Sequence, residues 1–357
     1  MSDHSTPAAT GSGLILRRLD SDKPADLARW EAYVATAPSA TFFHRAGWQT
    51  ILRDVFHHRC HFLYVERNGH ICGILPLAQV KSLLFGNSLI SLPFAVYGGV
   101  VADDDAAAAA LEAEADRLAR ELGVGHLEYR NVDTHHADWP SQDLYVTFRK
   151  EILPDEEANM TAIPRKQRAM VRKGIKNGLR SEIDPGVDRF FDLFADNVLR
   201  HGTPAMPKRY FEALLQVFGK DCEVMTVVDA DGQAISSVFS FFFRDEILPY
   251  YAGDAERARD LAANDFKYWE LMRRACQRGL KIFDYGRSKV GAGSWSFKKN
   301  WGFEPTPLHY EYRLYTRDSI PQNNPNNPKY KLMIATWRRL PVWVANRLGP
   351  LIVRNLG

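Results

Sequence analysis

The sequence predicts a mixed α/β fold that is built twice. Three observations lead to this. The first half reads as helix, antiparallel hairpin, strand, helix, strand, which is the order of a mixed α/β unit. The second half repeats that order. The turn and helix-closing glycines, Gly69 and Gly123 in the first half and Gly232 and Gly279 in the second, stand at matching places. Five elements recurring in one order point to a tandem duplication.

In the first copy, "RAGWQTILRDVF" puts Trp48, Ile51, Leu52 and Val55 on one helical face. "HFLYVERNGHICGILPLAQV" reads as two strands joined at Asn68-Gly69, a dipeptide that tolerates the positive φ angles of a tight hairpin. "SLISLPFAVYGGVV" is apolar throughout and is expected to be one buried strand. A helix follows over 105–122. Asp103 and Asp104 are placed to cap it, Leu111, Ala115, Leu118 and Leu122 are in register, and Gly123 closes it. "HLEYRNV" is then a strand. In the second copy "PKRYFEALLQVFG" is a helix and "EVMTVVDADGQAISSVFSFFF" a hairpin turning at Asp231-Gly232. "EILPYYAGD" is a strand. "AANDFKYWELMRRACQRG" is a helix with Tyr268, Leu271, Met272, Ala275 and Cys276 on its apolar face, and "KIFDYGR" is the last strand.

The bulk numbers narrow the class. The chain has 357 residues, 45% of them apolar and 25% charged, enough for more than one folded core. A net charge of +3 is too small to make the whole chain a nucleic-acid binder, so any such role rests on a local patch. The four cysteines form no C-x-x-C and are read as free thiols in a reducing compartment, hence a cytoplasmic protein. His57, His58 and His61 are joined at ligand spacing by Cys60 alone, so no metal site is expected. Residues 1–13 are polar and small, a disordered leader rather than a signal peptide. No apolar run is long enough to span a bilayer.

Two further stretches carry motifs. "DYGRS" followed by "FKKNWGF" sets an acid, an arginine and a double lysine among aromatics. "PRKQRAMVRKGIKNGL" is a basic helix with Arg165, Arg168, Arg172 and Lys176 on one face. It suits tRNA, another polyanion or lipid headgroups, or else is a solvated face. The doubled order resembles that of the GNAT acyltransferase fold, and two copies in one chain look like the Fem family of cell-wall aminoacyltransferases. "FKKNWGF" is similar to the F-K-x-x-F/W-G found near the end of that family's second unit, and the basic helix to the one that opens it. The closest resemblance is to the FemAB-related group associated with exosortase and exopolysaccharide clusters in Gram-negative bacteria. It implies GNAT-like domains over 14–150 and 151–316, followed by a linker and tail over 317–357.

The resemblance implies acyl transfer to an amine, which needs a deprotonated amine, a held carbonyl and a stabilised oxyanion, but neither a metal nor a bound cofactor. Lys298 matches the family's lysine, whose implied role is to steady the oxyanion or contact the donor. Trp295, Phe297, Trp301 and Phe303 would shield it, and Lys299 is its rival. Arg287, just past a strand end, suits a phosphate or carboxylate, or a salt bridge to Asp284. Asp284 is a proton acceptor or an orienting group. Tyr285 points to the opposite face, so one of the pair is expected to face the core. Arg257 and Asn264 lie where a GNAT enzyme holds an acyl-CoA pyrophosphate. There "RARDLAA" lacks the glycines of the usual R/Q-x-x-G-x-G/A, which weakens the expectation of ordinary acetyl-CoA binding, and Asn264 is read first as a helix N-cap.

After Asp318 no acidic residue occurs. "IPQNNPNNPKY" reads as a linker. The basic, Trp-bearing tail beyond it, broken into short pieces by Pro341 and Pro350, has the profile of an interfacial helix on an anionic membrane surface, or of a helix packed on the second unit. Three functions compete. One is a transferase moving an aminoacyl or acyl group from aminoacyl-tRNA to an envelope precursor of peptidoglycan or exopolysaccharide, peripheral on the inner membrane face. The second is an acyl-CoA-dependent acetyltransferase of a sugar or amino acid. The third is a non-catalytic membrane-peripheral adaptor in exopolysaccharide assembly.

Overall fold

The computed structural model describes residues 13–82, 85–320 and 328–355. These form two compact units. Of the described residues, one takes those up to Asp143 together with 308–320 and Asn355, and the other takes Leu144–Pro307 and 328–354.

The first unit runs β1 (Ile15–Arg18), α1 (Pro24–Thr36), α2 (Gly47–Asp54), β2 (Arg59–Arg67), β3 (His70–Ser82), β4 (Gly86–Ser91), β5 (Val101–Ala102), α3 (Asp105–Glu121), β6 (His126–Asn131) and β7 (Ser141–Gln142). The second begins with β8 (Tyr145–Glu151), α4 (Glu156–Ala162), α5 (Arg165–Lys176), β9 (Arg180–Asp184), α6 (Asp188–His201) and α7 (Lys208–Phe218). It continues through β10 (Cys222–Val228), β11 (Ala234–Phe243), β12 (Glu246–Asp254), α8 (Ala263–Gln277), β13 (Ile282–Asp284), β14 (Ser288–Lys289), α9 (Gly293–Asn300) and β15 (Pro305–Pro307). Strand β16 (His309–Leu314) belongs to the first unit, and α10 (Pro328–Trp337) and α11 (Val342–Val353) to the second.

The doubling expected from the sequence is present. Each unit holds a sheet that is antiparallel except for one parallel pair, β4 with β6 and β12 with β13. The orders are β1-β2-β3-β4-β6-β16-β7 and β14-β8-β13-β12-β11-β10-β9, with β5 on β3 and β15 on β8. The chain exchanges strands between the sheets. β8, which follows the first copy, lies beside β13, and β16, which follows the second, lies beside β6. A division at residue 150 would cut through β8.

Local chemistry accounts for the elements. Asn68 and Gly69 both have positive φ, as a two-residue hairpin turn requires. The Asp104 carboxylate accepts from Ala107 N at 2.9 Å and caps α3, whose Ala107, Leu111, Ala115 and Leu118 pack on Leu63, Leu75 and Leu127. In the second unit, α8 lays Leu271, Met272 and Ala275 against Val238, Ile247 and Phe283. Helix α5 crosses α8 closely, because a Cβ on Gly174 would stand 2.8 Å from Phe266 Cβ.

Three expectations are corrected. The stretch 88–101 is not one strand: β4 ends at Ser91, Leu92 and Phe94 take positive φ around Pro93, and a buried loop carries the chain to β5. Asn264 is not an N-cap, because α8 starts at Ala263 and the cap is Ala262 at φ 60°. Pro350 does not break the tail. Helix α11 runs through it, losing the one hydrogen bond that its missing N–H cannot make, while Pro341 sits at the N-cap. The tail packs on α6: Trp337 and Ala345 form a small core with Leu199, and Arg338 donates to the His201 carbonyl at 3.1 Å.

Candidate active site

In the second unit the parallel pair β12–β13 is short. Only Glu246 with Ile282 and Ile247 with Phe283 are in register, after which β12 continues to Asp254 while β13 stops at Asp284. On its other edge β12 shifts register against β11, so that Ser240 faces Pro249 and Phe239 faces Tyr251, which leaves Tyr250 as the extra residue. A bulge bends a strand, and Pro249 has no N–H to offer. The strands therefore part, and the half-buried Tyr250, Tyr251 and Ala252 lie along the stretch of β12 beyond its pairing with β13.

The first unit has the same parallel pair but no such opening. Beyond Ser91 its own loop returns: Gly98 N donates to the Arg130 carbonyl at 3.1 Å, and Arg130 Nη1 donates to the Ala95 carbonyl at 2.8 Å. Arg130 is fixed by a buried ion pair with Glu128 at 2.8 Å. The approach is so close that a Cβ on Gly98 would stand 2.3 Å from the Ser91 carbonyl oxygen.

Around the end of β13 the structure brings together Asp284, Tyr285, Arg287, Lys298 and Trp301. Asp284 is fully buried. Its carboxylate accepts from Arg149 Nη1 at 2.9 Å and from Gly286 N at 2.6 Å, while Arg149 also pairs with Glu246. Burial raises the Glu246 carboxyl, and Arg149 opposes that rise. Tyr285 is buried as well, so both members of the pair are inside rather than one. Its ring packs on Tyr268, Phe283 and Phe303 at 4.6 to 4.8 Å, and its hydroxyl has no hydrogen-bond partner among the described residues. Burial pushes that phenol well above its ordinary value.

Lys298 projects from α9 into this corner and is 7% exposed. Its Nζ donates to three carbonyls, Tyr285 at 2.7 Å, Gly286 at 3.1 Å and Arg287 at 3.2 Å. An ammonium has three N–H donors, so the strand end engages all of them. The Phe148 and Tyr285 rings lie 5.5 and 5.7 Å from the nitrogen. Burial lowers the ammonium to about 7, and the nearby Asp284 charge acts in the opposite direction.

Arg287, Trp301 and the remaining sequence-predicted residues each make contacts of their own. The Arg287 guanidinium lies over the Tyr145 ring at 4.4 Å. Lys299 is exposed, with its ammonium 4.5 Å from the Trp295 ring. Trp301 is buried and donates its indole N–H to Asp265 at 2.9 Å. Burial raises the Asp265 carboxyl, and the indole bond pulls it down. Arg257 is paired with Asp229 at 2.6 Å. Asn264 is in the first turn of α8. Trp301 also lines a cavity of about 390 Å³ with Lys150, Asn159, Ile163 and Met272.

Sequence reading missed Arg149 and Tyr145, because both stand on β8 and no local motif links that strand to the second sheet. It also missed Glu246, the first residue of β12. What the corner offers is a parted sheet edge, a buried cation 2.7 to 3.2 Å from the strand-end carbonyls, and an arginine beside it.

Residues 165–299 match the acetyltransferase (GNAT) domain family. Among solved structures the chain is similar to FemX, at 15% identity and a TM-score of 0.65, covering 86% of this chain and 98% of that one. It is similar to the C-terminal domain of a protein assigned as a lysylphosphatidylglycerol synthetase from Agrobacterium fabrum, at 13% identity and a TM-score of 0.54, covering 81% and 91%. A tandem GNAT protein from the clavulanic acid biosynthesis pathway gives 12% identity and a TM-score of 0.54, covering 86% and 100%. No curated protein matches the chain by sequence. The chain thus has a tandem GNAT acyltransferase fold, and the parted strands β12 and β13 of its second unit lie within the GNAT match.

Proposed function

We propose that this chain is an N-acyltransferase that moves an aminoacyl or acyl group onto an amine of a cell-envelope precursor of the peptidoglycan or exopolysaccharide class. The observation that carries this reading is the parting of β12 and β13 beside Lys298. A parted strand edge can take up an extended donor arm by backbone pairing, and the buried cation beside it would meet the charge that develops on the carbonyl oxygen. Similarity to FemX and to the synthetase domain named for an aminoacylated lipid favours an aminoacyl donor and an envelope acceptor.

In the reaction the acceptor amine attacks the donor's ester or thioester carbonyl. A C–N bond forms, the C–O or C–S bond breaks, and the amine gives up a proton. Lys298 steadies the oxyanion through its field, which its burial strengthens. Arg287 holds an anionic part of a substrate. Asp284 works as a positioning residue: its carboxylate is taken up by Arg149 and Gly286, so the amine loses its proton to the substrate itself. The same reading places the chain in the cytoplasm against the inner membrane face, where such precursors are handled.

The second reading, an acyl-CoA donor, is favoured by the GNAT family match and by the tandem GNAT neighbour. The pairing of Arg257 with Asp229 weighs against it, because that cation is already engaged. Direct binding separates the readings. Purified chain, with and without Lys298→Ala, is titrated against acetyl-CoA and against a charged-tRNA mixture. Saturable binding that depends on the aminoacyl end supports the first reading, and acetyl-CoA binding supports the second. Binding of neither donor moves the chain to an adaptor role.

A further inference from the structure

Helix α11 is apolar on two faces. Ala345, Gly349 and Val353 face inward, where a Cβ on Gly349 would stand 3.0 Å from the Ala205 carbonyl oxygen. Trp343, Arg347 and Leu351, at i, i+4 and i+8, face outward with Leu348 beside them. Trp343 is 72% exposed and Leu351 56%. Of the chain's eight tryptophans Trp343 alone is exposed. Met333 on α10 and Val342 add 48% and 42%. A helix in water normally turns a polar face outward, and clustered outward apolar groups mark a contact site.

The charge around this face identifies what covers it. Arg339, Arg347 and Arg354 are exposed, none makes an ion pair with a carboxylate among the described residues, and no acidic residue follows Asp318 in the sequence. A second copy of the face would set arginine against arginine. Helices of 10 and 12 residues are too short to cross a bilayer, and no helix among the described residues is long and apolar enough to do so. Tryptophan prefers the headgroup level, and arginine can bury its stem while its guanidinium stays at the surface.

We infer that the outward face of α11, with Trp343 and Leu351 inserted and Arg347 between them, docks on an anionic lipid leaflet. This deepens the membrane-peripheral part of the reading above. Vesicle binding is measured without acyl transfer, and transfer to a soluble amine is measured without vesicles, so either can fail alone.

The test is flotation of the full chain with vesicles of phosphatidylcholine alone or of phosphatidylcholine mixed with phosphatidylglycerol. The chain should float with the mixed vesicles, far less with the neutral ones, and less at high salt. Arg347→Ser should weaken partitioning about fivefold. Trp343→Ser with Leu351→Ser should weaken it by more than about tenfold with an unchanged melting temperature, since both side chains are exposed. The inference is overturned if wild-type chain does not float with the mixed vesicles, or if the double variant floats as well as wild type. It is also overturned if sedimentation shows a dimer that the double variant dissolves, because a second copy then covers the face.

Discussion

Lys298 Nζ donates to the Tyr285 carbonyl at 2.7 Å, tying α9 to the end of β13. With Gly286 and Arg287 also accepting, one side chain fixes the turn that borders the parted edge. Fold and chemistry meet at this residue, and replacing it should reveal both. Lys298→Ala leaves three carbonyls without their donor, at about 1 kcal/mol or more each, so the melting temperature should fall while the chain stays folded. Turnover should fall roughly a hundredfold, the usual loss when an oxyanion group is removed. A fall in kcat with KM nearly constant assigns the lysine to the transition state, whereas a raised KM with kcat kept assigns it to the turn alone. Wild-type rates in the folded variant end its assignment to the site.

The same burial makes stability depend on pH. The folded lysine titrates near 7 against an ordinary value of 10.5. Between those values the unfolded chain holds the proton more often than the folded one, so unfolding free energy should rise with pH across this window. The cost of burying the lysine's charge is greatest below about pH 7 and is relieved toward pH 10. The carbonyl acceptors favour the ammonium and reduce the effect, which should therefore stay below about 4 kcal/mol. Lys298→Met should flatten the rise, as read by urea unfolding at about pH 7, 8 and 9. A slope that survives the substitution belongs to other groups.

Asp284 tests the support beneath the turn. It is fully buried, and its charge is met by Arg149 and by Gly286 N. Removing one partner of such a pair leaves an uncompensated buried charge, at a cost of about 3 kcal/mol or more. Arg149→Met should therefore destabilise the second unit more than Asp284→Asn, which keeps an acceptor for Gly286 N and leaves no buried charge. Chemical unfolding of both variants checks the order, and the reverse order would mean that the carboxylate does not depend on Arg149.

Much of this architecture was legible because it is local. The Asn68-Gly69 hairpin, the Asp104 cap and the apolar stripe of α8 each announce themselves within a few residues. The exchanged strands did not. Residues 145–151 carry no signal that they pair with β13 rather than with their sequence neighbours, so Arg149 and Tyr145 stayed outside the expected site. The apolar run 88–101 misled for a related reason. Burial alone does not separate a strand from a buried loop, and Leu92 and Phe94 at positive φ are held there by the rest of the unit. The residue types at the β13 end were visible, but that Lys298 would bond three carbonyls is a fact of tertiary geometry.

The contrast between the two units yields the last prediction. In the first, a Cβ on Gly98 would lie 2.3 Å from the Ser91 carbonyl oxygen; in the second, a Cβ on Gly253 would lie 2.4 Å from Phe194 N, where α6 crosses β12. In both cases the obstacle is backbone, which cannot move aside as a flexible side chain can. Either glycine to alanine should destabilise the chain by about 1 to 3 kcal/mol. Their effects on donor binding should differ. Gly253→Ala pushes α6 off the strand that borders the opening and should weaken binding of whichever donor the wild-type chain takes, whereas Gly98→Ala disturbs a unit whose corresponding gap its own loop already fills. Titration of both variants at a temperature where each is folded decides the matter. If Gly98→Ala weakens donor binding and Gly253→Ala does not, the donor site lies outside the parted strands of the second unit.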